Sequence, residues 1–312
     1  MAMKLVFCGT PEFAVGTLEA VLSAGHELAL VITQPDRAAG RGMALQTGAV
    51  KAAALRHGIE VVQPEKIRKN EELRARLEAI APDAILVVAY GRIIPDWMLA
   101  LPRFGCINLH GSLLPKYRGA APIQWAVAMG ESETGVTTML LDAGLDTGPM
   151  LLAQVVPIAP EENAQDLFES LAAVGAALMV KTLAGLEAGT VLPVSQNHQA
   201  ATLAPILRRE DGLMDFARTA TELVNRWRGF QPWPGSYTSL RGRKLQVHRM
   251  AVASEGGRTT QADLLLHGER LLVGCQGSTL ELLEVQMEGK KRMSAADFLR
   301  GFQVKTGERV GA

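Results

Sequence analysis

The sequence predicts an α/β fold in which a mostly parallel, doubly wound sheet is followed by a smaller antiparallel β-barrel. Continuously apolar strands alternate with helical patterns over residues 1–189, which is typical of a parallel sheet covered on both faces. Beyond a proline-containing segment at 190–208, short strands separated by glycine-rich turns favour a small barrel. The length of 312 residues is in keeping with two domains.

The first domain, residues 1–189, begins with a predicted strand at 4–9. In the helix that follows, Thr10 is the predicted N-cap and Pro11 takes the first helical position. Apolar runs predict further strands at 28–33, 59–63, 84–91, 105–110, 135–141 and 150–158. Apolar residues at helical spacing predict helices at 51–57, 65–80 and 163–186. Residues 34–48 carry three glycines and no period, so a flexible loop is expected there.

The segment 190–208 has two prolines and little periodicity, so we predict a linker. The second domain, 209–312, is predicted to contain one helix at 219–228 and then several short strands. From Leu207 onward there are 17 Lys and Arg against 12 Asp and Glu. This positive excess points to a polyanionic partner for the second domain.

Composition narrows the class of protein. Hydrophobic residues make up 48% and charged residues 21%, an ordinary globular balance. We find no apolar run long enough to span a bilayer and no signal-peptide pattern near the start. Three cysteines lie far apart at positions 8, 106 and 275, which predicts a reducing compartment and argues against a disulfide framework or a zinc site.

Polar residues interrupt the predicted buried strand "CINLH" at its carboxyl end. Because alternate strand residues share a face, Asn108 and His110 point the same way. Ligands of open α/β sheets bind at the carboxyl ends of strands. A lone histidine here would be read as a core residue, but the Asn–His pair followed by a Gly-Ser-Leu-Leu-Pro turn favours a functional site.

The segment "LDAGLDTGPM" places Asp142 and Asp146 among glycines after another strand. Turn chemistry explains such residues, but Asp146 could instead reach the imidazole of His110. An amide, an imidazole and a carboxylate without an evident Ser or Cys nucleophile fit direct acyl transfer to an external nucleophile. A dehydrogenase is disfavoured, because Gly9 stands alone where a dinucleotide fingerprint needs three glycines.

Four stretches together carry a resemblance to a known family: "INLHGSLLPKYRGAAPIQWA", "ETGVTTMLLDAGLDTGPML", "VVAYGRIIP" and "GTPEFAV". They resemble the 10-formyltetrahydrofolate-dependent formyltransferases over nearly the whole chain. The loop "QPDRAAGRG" and the segment "RGFQPWPGSYTSL" are similar to the members that formylate methionyl-tRNA. The resemblance implies a Rossmann-like catalytic domain and an OB-like domain that binds tRNA.

The resemblance also implies roles for individual residues. The catalytic residues would be Asn108, His110 and Asp146. The folate-binding residues would be Ser112, Leu113, Leu114, Pro115, Val87, Val88, Ala89 and Tyr90. The resemblance of the loop and the basic residues of the second domain together indicate the tRNA-binding residues. These would be Arg37, Arg41, Arg208, Arg209, Lys290, Lys291 and Arg292. The expected co-substrate is 10-formyltetrahydrofolate, the expected partner is initiator methionyl-tRNA, and no metal is expected.

Other functions remain open at this point. A formyltransferase for an amino-sugar nucleotide, or a formyltetrahydrofolate hydrolase, would have the same Asn–His–Asp set. A non-catalytic RNA-binding protein would bind RNA but not folate. We expect a monomer in the bacterial cytoplasm, without a membrane partner.

Overall fold

A computed structural model describes residues 2–39, 44–254 and 260–311. Its contacts divide the chain into two compact units. The first unit comprises residues 1–122, 133–157 and 167–205, and the second comprises 123–132, 158–166 and 206–312. Most of the predicted linker, residues 190–205, is therefore counted with the first unit.

The first unit is built on a seven-stranded sheet with the order β5-β2-β1-β6-β7-β8-β9. Neighbouring strands are parallel from β5 to β7 in this order. Strand β8 is antiparallel to both of its neighbours, β7 and β9. This confirms a mostly parallel sheet. The strands are β1 Lys4–Gly9, β2 Glu27–Ile32, β5 Val61–Val62, β6 Ala84–Val88, β7 Cys106–His110, β8 Glu133–Leu140 and β9 Met150–Pro157.

Helices α1, α2 and α3 follow the strands in alternation, as the apolar periodicity predicted, whereas the short helix α4 was not predicted. Their bounds are Val15–Ser23, Ala49–Arg56, Glu71–Ile80 and Asp96–Leu99. The predicted N-cap at Thr10 is wrong, because a short 3-10 turn at Glu12–Ala14 precedes α1. Pro11, predicted at the first helical position, instead takes the N-cap position of that turn and makes no side-chain capping contact. The Thr10 hydroxyl instead accepts a hydrogen bond from the backbone N–H of Gln34 at 3.1 Å. This bond links the segments that follow β1 and β2.

The sequence predicted an irregular loop at 34–48, but part of this region is regular. Strands β3 (Arg37–Ala39) and β4 (Ala44–Gln46) pair antiparallel within it. Short strands such as these lack a hydrophobic period, so their pairing is not visible in composition.

The long helix α6, Ala164–Glu187, corrects the expectation about apolar runs. It is long and apolar enough to cross a membrane by length and composition, although 44% of its most apolar window is buried within the protein. From Leu167 onward it packs on the sheet: Thr182 bonds to Thr138 of β8 at 2.8 Å, and Gly175 lies against Leu109 of β7. These contacts are those of a core helix.

The second unit contains a six-stranded antiparallel sheet with the order β10-β11-β14-β13-β12, and β15 pairs with β14. This confirms a small antiparallel β domain. The strands are β10 Ser236–Leu240, β11 Arg243–Val252, β12 Leu264–His267, β13 Arg270–Cys275, β14 Ser278–Met287 and β15 Met293–Ser294. The helices of this region are α5 Pro122–Ala128, α7 Ala220–Gly229 and α8 Ala295–Phe302.

Local sequence explains why α7 begins where it does. The Thr219 hydroxyl accepts from the Glu222 amide, while the Glu222 carboxylate accepts from the Thr219 amide. This reciprocal capping satisfies two amide groups that the helix itself leaves without partners. The apolar face of α7 then packs into the core of the second unit through Ala220 and Leu223.

Candidate active site

Strand β7 carries Asn108 and His110 to the carboxyl end of the parallel sheet. Both share the face of Cys106, whose side chain is buried in the cluster that contains Met98. The side chain of Asn108 is partly exposed, whereas His110 is only 5% exposed. Within the part of the chain that the structure describes, the Asn108 amide has no hydrogen-bond partner. It is therefore free to donate to a ligand.

The backbone of a nearby turn orients the imidazole of His110. Nε2 lies 2.9 Å from the carbonyl oxygen of Tyr117. A carbonyl oxygen can only accept, so Nε2 carries a proton and donates it. Tyr117 has a φ of 60°, a left-handed conformation that is uncommon for a residue with a side chain. The free nitrogen of the ring is Nδ1.

The nitrogen Nδ1 faces a carboxylate. Asp146 Oδ2 lies 3.7 Å from it, within ion-pair range but beyond hydrogen-bonding distance. The same oxygen accepts a hydrogen bond from the Gly119 amide at 2.8 Å. Asp146 therefore faces His110 as the sequence suggested, and a backbone amide holds its carboxylate.

Asp142 has a different role in the same loop. Its carboxylate accepts hydrogen bonds from the Gly144 amide at 3.0 Å and from the Thr147 hydroxyl at 2.7 Å. These are local contacts within the turn, and the residue is exposed. The structure thus separates the two aspartates: Asp142 shapes the loop, and Asp146 faces the imidazole.

The turn after β7 is stabilised by side-chain contacts. The Ser112 hydroxyl donates to the Lys116 carbonyl at 2.7 Å. Thr137 of β8 donates to the Ser112 carbonyl at 2.7 Å and accepts from the Leu114 amide at 3.2 Å. The turn that contains Leu113 and Pro115 is therefore tied to the sheet beside His110.

The end of β6 lies next to β7 and edges the same region. Val87 is the register partner of Asn108. Val88 is buried, and Ala89 is exposed with a left-handed φ of 46°. The Tyr90 carbonyl accepts a hydrogen bond from Gln34 Nε2 at 2.7 Å. The eight residues expected to bind folate thus lie on the two segments that flank Asn108.

Sequence reasoning missed three groups here: the carbonyl of Tyr117, the amide of Gly119 and the hydroxyl of Thr137. Two are backbone groups, which carry no residue-type signal. Gly119 offers a partial clue, because a Cβ at this position would lie 2.5 Å from the Ala204 carbonyl oxygen. Only glycine permits that approach, although the reason is visible only in the fold.

The residues expected to contact tRNA are of several kinds. Arg41 lies outside the described residues, and of Arg37 only its backbone in β3 is described. In the second unit Arg208, Arg209, Lys290 and Lys291 are exposed.

Arg292 is also exposed, but its guanidinium is paired with the Glu284 carboxylate. The same carboxylate lies 3.5 Å from Arg249, and the contacts with the two arginines hold the pKa of Glu284 below its usual range. Part of the positive excess in this unit is thus neutralised internally.

Within the described ranges, no group of three or more His, Cys, Asp or Glu side chains is arranged to hold a metal ion. All three cysteines are free thiols and buried. Cys8 and Cys106 are buried among the apolar residues of the core.

The chain matches the models of a family of group-transferring enzymes. A family model described as "Formyl transferase" matches residues 3–183, and one described as "Formyl transferase, C-terminal domain" matches residues 206–303. The chain belongs to the formyl transferase family.

Curated relatives extend over the full length of the chain. It is 62% identical to the methionyl-tRNA formyltransferase of Acidobacterium capsulatum, with 99% of this chain and 100% of the relative covered. It is 58% identical to the enzyme of the same name from Koribacter versatilis, with 99% of each chain covered.

Solved structures share the fold at lower identity. An N-formyltransferase from Helicobacter canadensis, in complex with folinic acid and dTDP-3-aminofucose, is 20% identical with a TM-score of 0.65. That comparison covers 92% of this chain and 100% of the other. HypX from Aquifex aeolicus in complex with tetrahydrofolic acid is 16% identical, with a TM-score of 0.61, covering 99% of this chain and 49% of HypX.

Proposed function

We propose that the protein transfers the formyl group of 10-formyltetrahydrofolate to the α-amino group of methionine on initiator methionyl-tRNA, for translation initiation. The observation that carries the proposal is the 62% identity, over the whole chain, to a methionyl-tRNA formyltransferase. The strand-end site supplies the chemistry that such a transfer needs.

The nucleophile is the methionine α-amine. Free α-amino groups have a pKa of about 7.7–8.0, and esterification of the carboxyl lowers it, so much of the amine is neutral near pH 7. The amine nitrogen attacks the formyl carbon, and the carbonyl π electrons move onto oxygen. The largest demand on the enzyme is therefore to stabilise the oxyanion of the tetrahedral intermediate.

Asn108 supplies that stabilisation. Its amide lies at the strand end without a partner among the described residues, so it can donate to the oxyanion without breaking another bond. A donor of this kind typically contributes about 2.7–4 kcal/mol to lowering the barrier.

His110 and Asp146 move the proton. The attacking amine must lose a proton, and the folate nitrogen N10 must gain one as its bond to the formyl carbon breaks. Nε2 of His110 is held by Tyr117, so Nδ1 is the exchanging atom, with the Asp146 carboxylate 3.7 Å away. Positioned proton transfer typically contributes about 10²–10⁴-fold to the rate. These side chains carry the proposed steps, and the proposal includes no metal.

The folate would lie along the two segments that flank Asn108. One is the Val87–Tyr90 stretch, in which Ala89 is exposed and has a left-handed backbone conformation. The other is the Ser112–Pro115 turn, in which the serine hydroxyl is occupied by the Lys116 carbonyl. We therefore assign Ser112 to shaping this turn, while Leu113, Leu114 and Pro115 offer apolar contact.

Basic side chains would contact the tRNA. Arg37 and Arg41 would approach the amino-acid end, as the resemblance implies. In the second unit the contacts would come from the exposed residues Arg208, Arg209, Lys290 and Lys291. Arg292 remains a candidate whose pairing with Glu284 would have to loosen first.

Formyl transfer assayed with three acceptors tests the proposal. Charged initiator tRNA, an amino-sugar nucleotide and water are offered to the full-length protein together with 10-formyltetrahydrofolate. We expect transfer to the tRNA alone. Preferred transfer to the sugar or to water would make the protein a different member of the family, and RNA binding without any transfer would contradict an enzymatic role. Because the curated relatives are bacterial, we place the protein in a bacterial cytoplasm, and we expect light scattering to report a monomer.

A further inference from the structure

One buried amide joins two segments of the candidate active site. Gln196 is 4% exposed. Its Nε2 donates to the Asp146 carbonyl at 2.9 Å and to the Gly148 carbonyl at 2.7 Å. Its Oε1 accepts from the Arg118 guanidinium through Nη2 at 2.6 Å and Nε at 3.1 Å.

The orientation of this amide is determined by chemistry. A guanidinium only donates, so it requires the amide oxygen, while the two carbonyls only accept and require the amide nitrogen. All four contacts would be lost if the amide were reversed. Gln196 is thus a specific connector between Arg118 and the loop that carries Asp146.

Arg118 is itself buried, with 7% exposed. Its Nη2 also lies 3.1 Å from His198 Nδ1. Among the described residues no carboxylate lies within ion-pair distance of this guanidinium, so its partners are an amide and an imidazole. A buried cation without a carboxylate partner is costly, and its hydrogen bonds to Gln196 and His198 offset part of that cost.

Arg118 and Gln196 hold the two ends of the hydrogen bond between Gly119 and Asp146. Arg118 immediately precedes Gly119, whose amide donates to the Asp146 carboxylate. Gln196 holds the backbone of Asp146 itself. The Gln196–Arg118 pair therefore sets the distance between the turn 117–119, which orients His110, and the loop 146–148.

We propose that Gln196 and Arg118 are positioning residues that hold the Asp146 carboxylate in place for proton exchange with His110. The inference rests on the catalytic role proposed for Asp146. Small displacements of a reacting group can cost about 10²-fold in rate. Losing the Gln196 amide should therefore lower kcat about 10–100-fold while folate binding persists.

A double-mutant cycle tests this inference. Gln196→Met removes the four polar contacts and leaves a side chain of similar length, and Gln199→Met, at an exposed neighbouring position, is the matched control. Each is assayed alone and with Asp146→Asn. We expect Gln196→Met to lower kcat with the folate KM within about threefold, and to have no further effect in the Asp146→Asn background, since coupled groups are not additive.

The inference is overturned if kcat of the double variant falls by the product of the two single losses, which would mean that the residues act independently. It is also overturned if Gln196→Met alone leaves kcat unchanged, even when Asp146→Asn is impaired. If Asp146→Asn has normal kcat, the catalytic role of Asp146 fails first and the inference fails with it. Arg118→Lys provides a second variant in case Gln196→Met does not fold. It keeps the charge but loses the two-pronged contact, and a normal kcat for it would also contradict the proposal.

Discussion

The carbonyl oxygen of Tyr117 lies 2.9 Å from Nε2 of His110 and determines which imidazole nitrogen is free. Since Nε2 donates to this carbonyl, Nδ1 is directed to Asp146. A backbone group, with no signal in the residue type, thus fixes Nε2 of His110 as a hydrogen-bond donor.

Asn108→Ala should lower kcat by about 10²–10³-fold, because it removes a donor to the oxyanion. The KM for folate should change little, since this contact strengthens only as charge develops. Steady-state formyl-transfer kinetics check the prediction. Asn70→Ala is a matched control: this residue caps α3 by accepting from the Leu73 amide, so its loss should lower stability by about 1 kcal/mol and leave kcat intact. A normal kcat in Asn108→Ala would remove the oxyanion role.

Asp146→Asn should reduce kcat by about 10²-fold or more, because the amide cannot accept a proton next to His110. Asp142→Asn, four residues away in the same loop, provides the comparison. Its carboxylate serves only the turn contacts to Gly144 and Thr147, so a much smaller loss is expected. Single-turnover measurements distinguish the two, and equal losses would show that loop shape alone matters.

Lys290→Ala and Lys291→Ala should each weaken tRNA binding and reduce the salt dependence. Each lost phosphate contact lowers the slope of log K against log salt by about one. Arg292→Ala should have a smaller effect, because the Arg292 guanidinium is already paired with Glu284. Binding titrations between low and moderate salt check this. If all three variants keep the salt slope of the wild type, the tRNA binds elsewhere on the protein.

The thiols should be unreactive in the folded protein near neutral pH. Burial raises the pKa of Cys106 to about 12 and that of Cys275 to about 11, from an ordinary value of 9.0. Labelling with a thiol reagent should therefore be slow until the protein unfolds. Rapid stoichiometric labelling of the native protein at pH 7.5 would contradict this burial.

The same shift makes stability depend on pH. Above about pH 9 the unfolded state releases the Cys275 proton first, so the free energy of unfolding falls as pH rises toward about 11. The fall due to one thiol is at most about 1.4 kcal/mol per pH unit. Denaturant titrations of the wild type and of Cys275→Ala isolate the contribution of this thiol. Between about pH 9 and 11 the free energy of unfolding should fall more steeply in the wild type. Equal slopes against pH in the two proteins would refute the linkage.

Much of the architecture was predictable because it depends on local periodicity. The first strand was predicted at Lys4–Gly9 and is found there, and the alternation of apolar strands with helices indicated the parallel sheet. The strands β3 and β4 were missed, because three-residue strands leave no period to detect. The N-cap of the first helix was misplaced because Thr10 bonds to Gln34, a contact between distant segments.

By itself the sequence determined that Asn108 and His110 share a face at a strand end, since the side-chain period of a strand is a property of the backbone alone. It also offered Asp146 as one possible partner for His110, with turn chemistry as the alternative. Only the tertiary structure separated Asp146 from Asp142, selected Nδ1 of His110 through Tyr117, and brought Gln196 to a loop 50 residues away. The physical reason is that such contacts depend on how distant segments pack, and their partners are often backbone groups that every residue possesses.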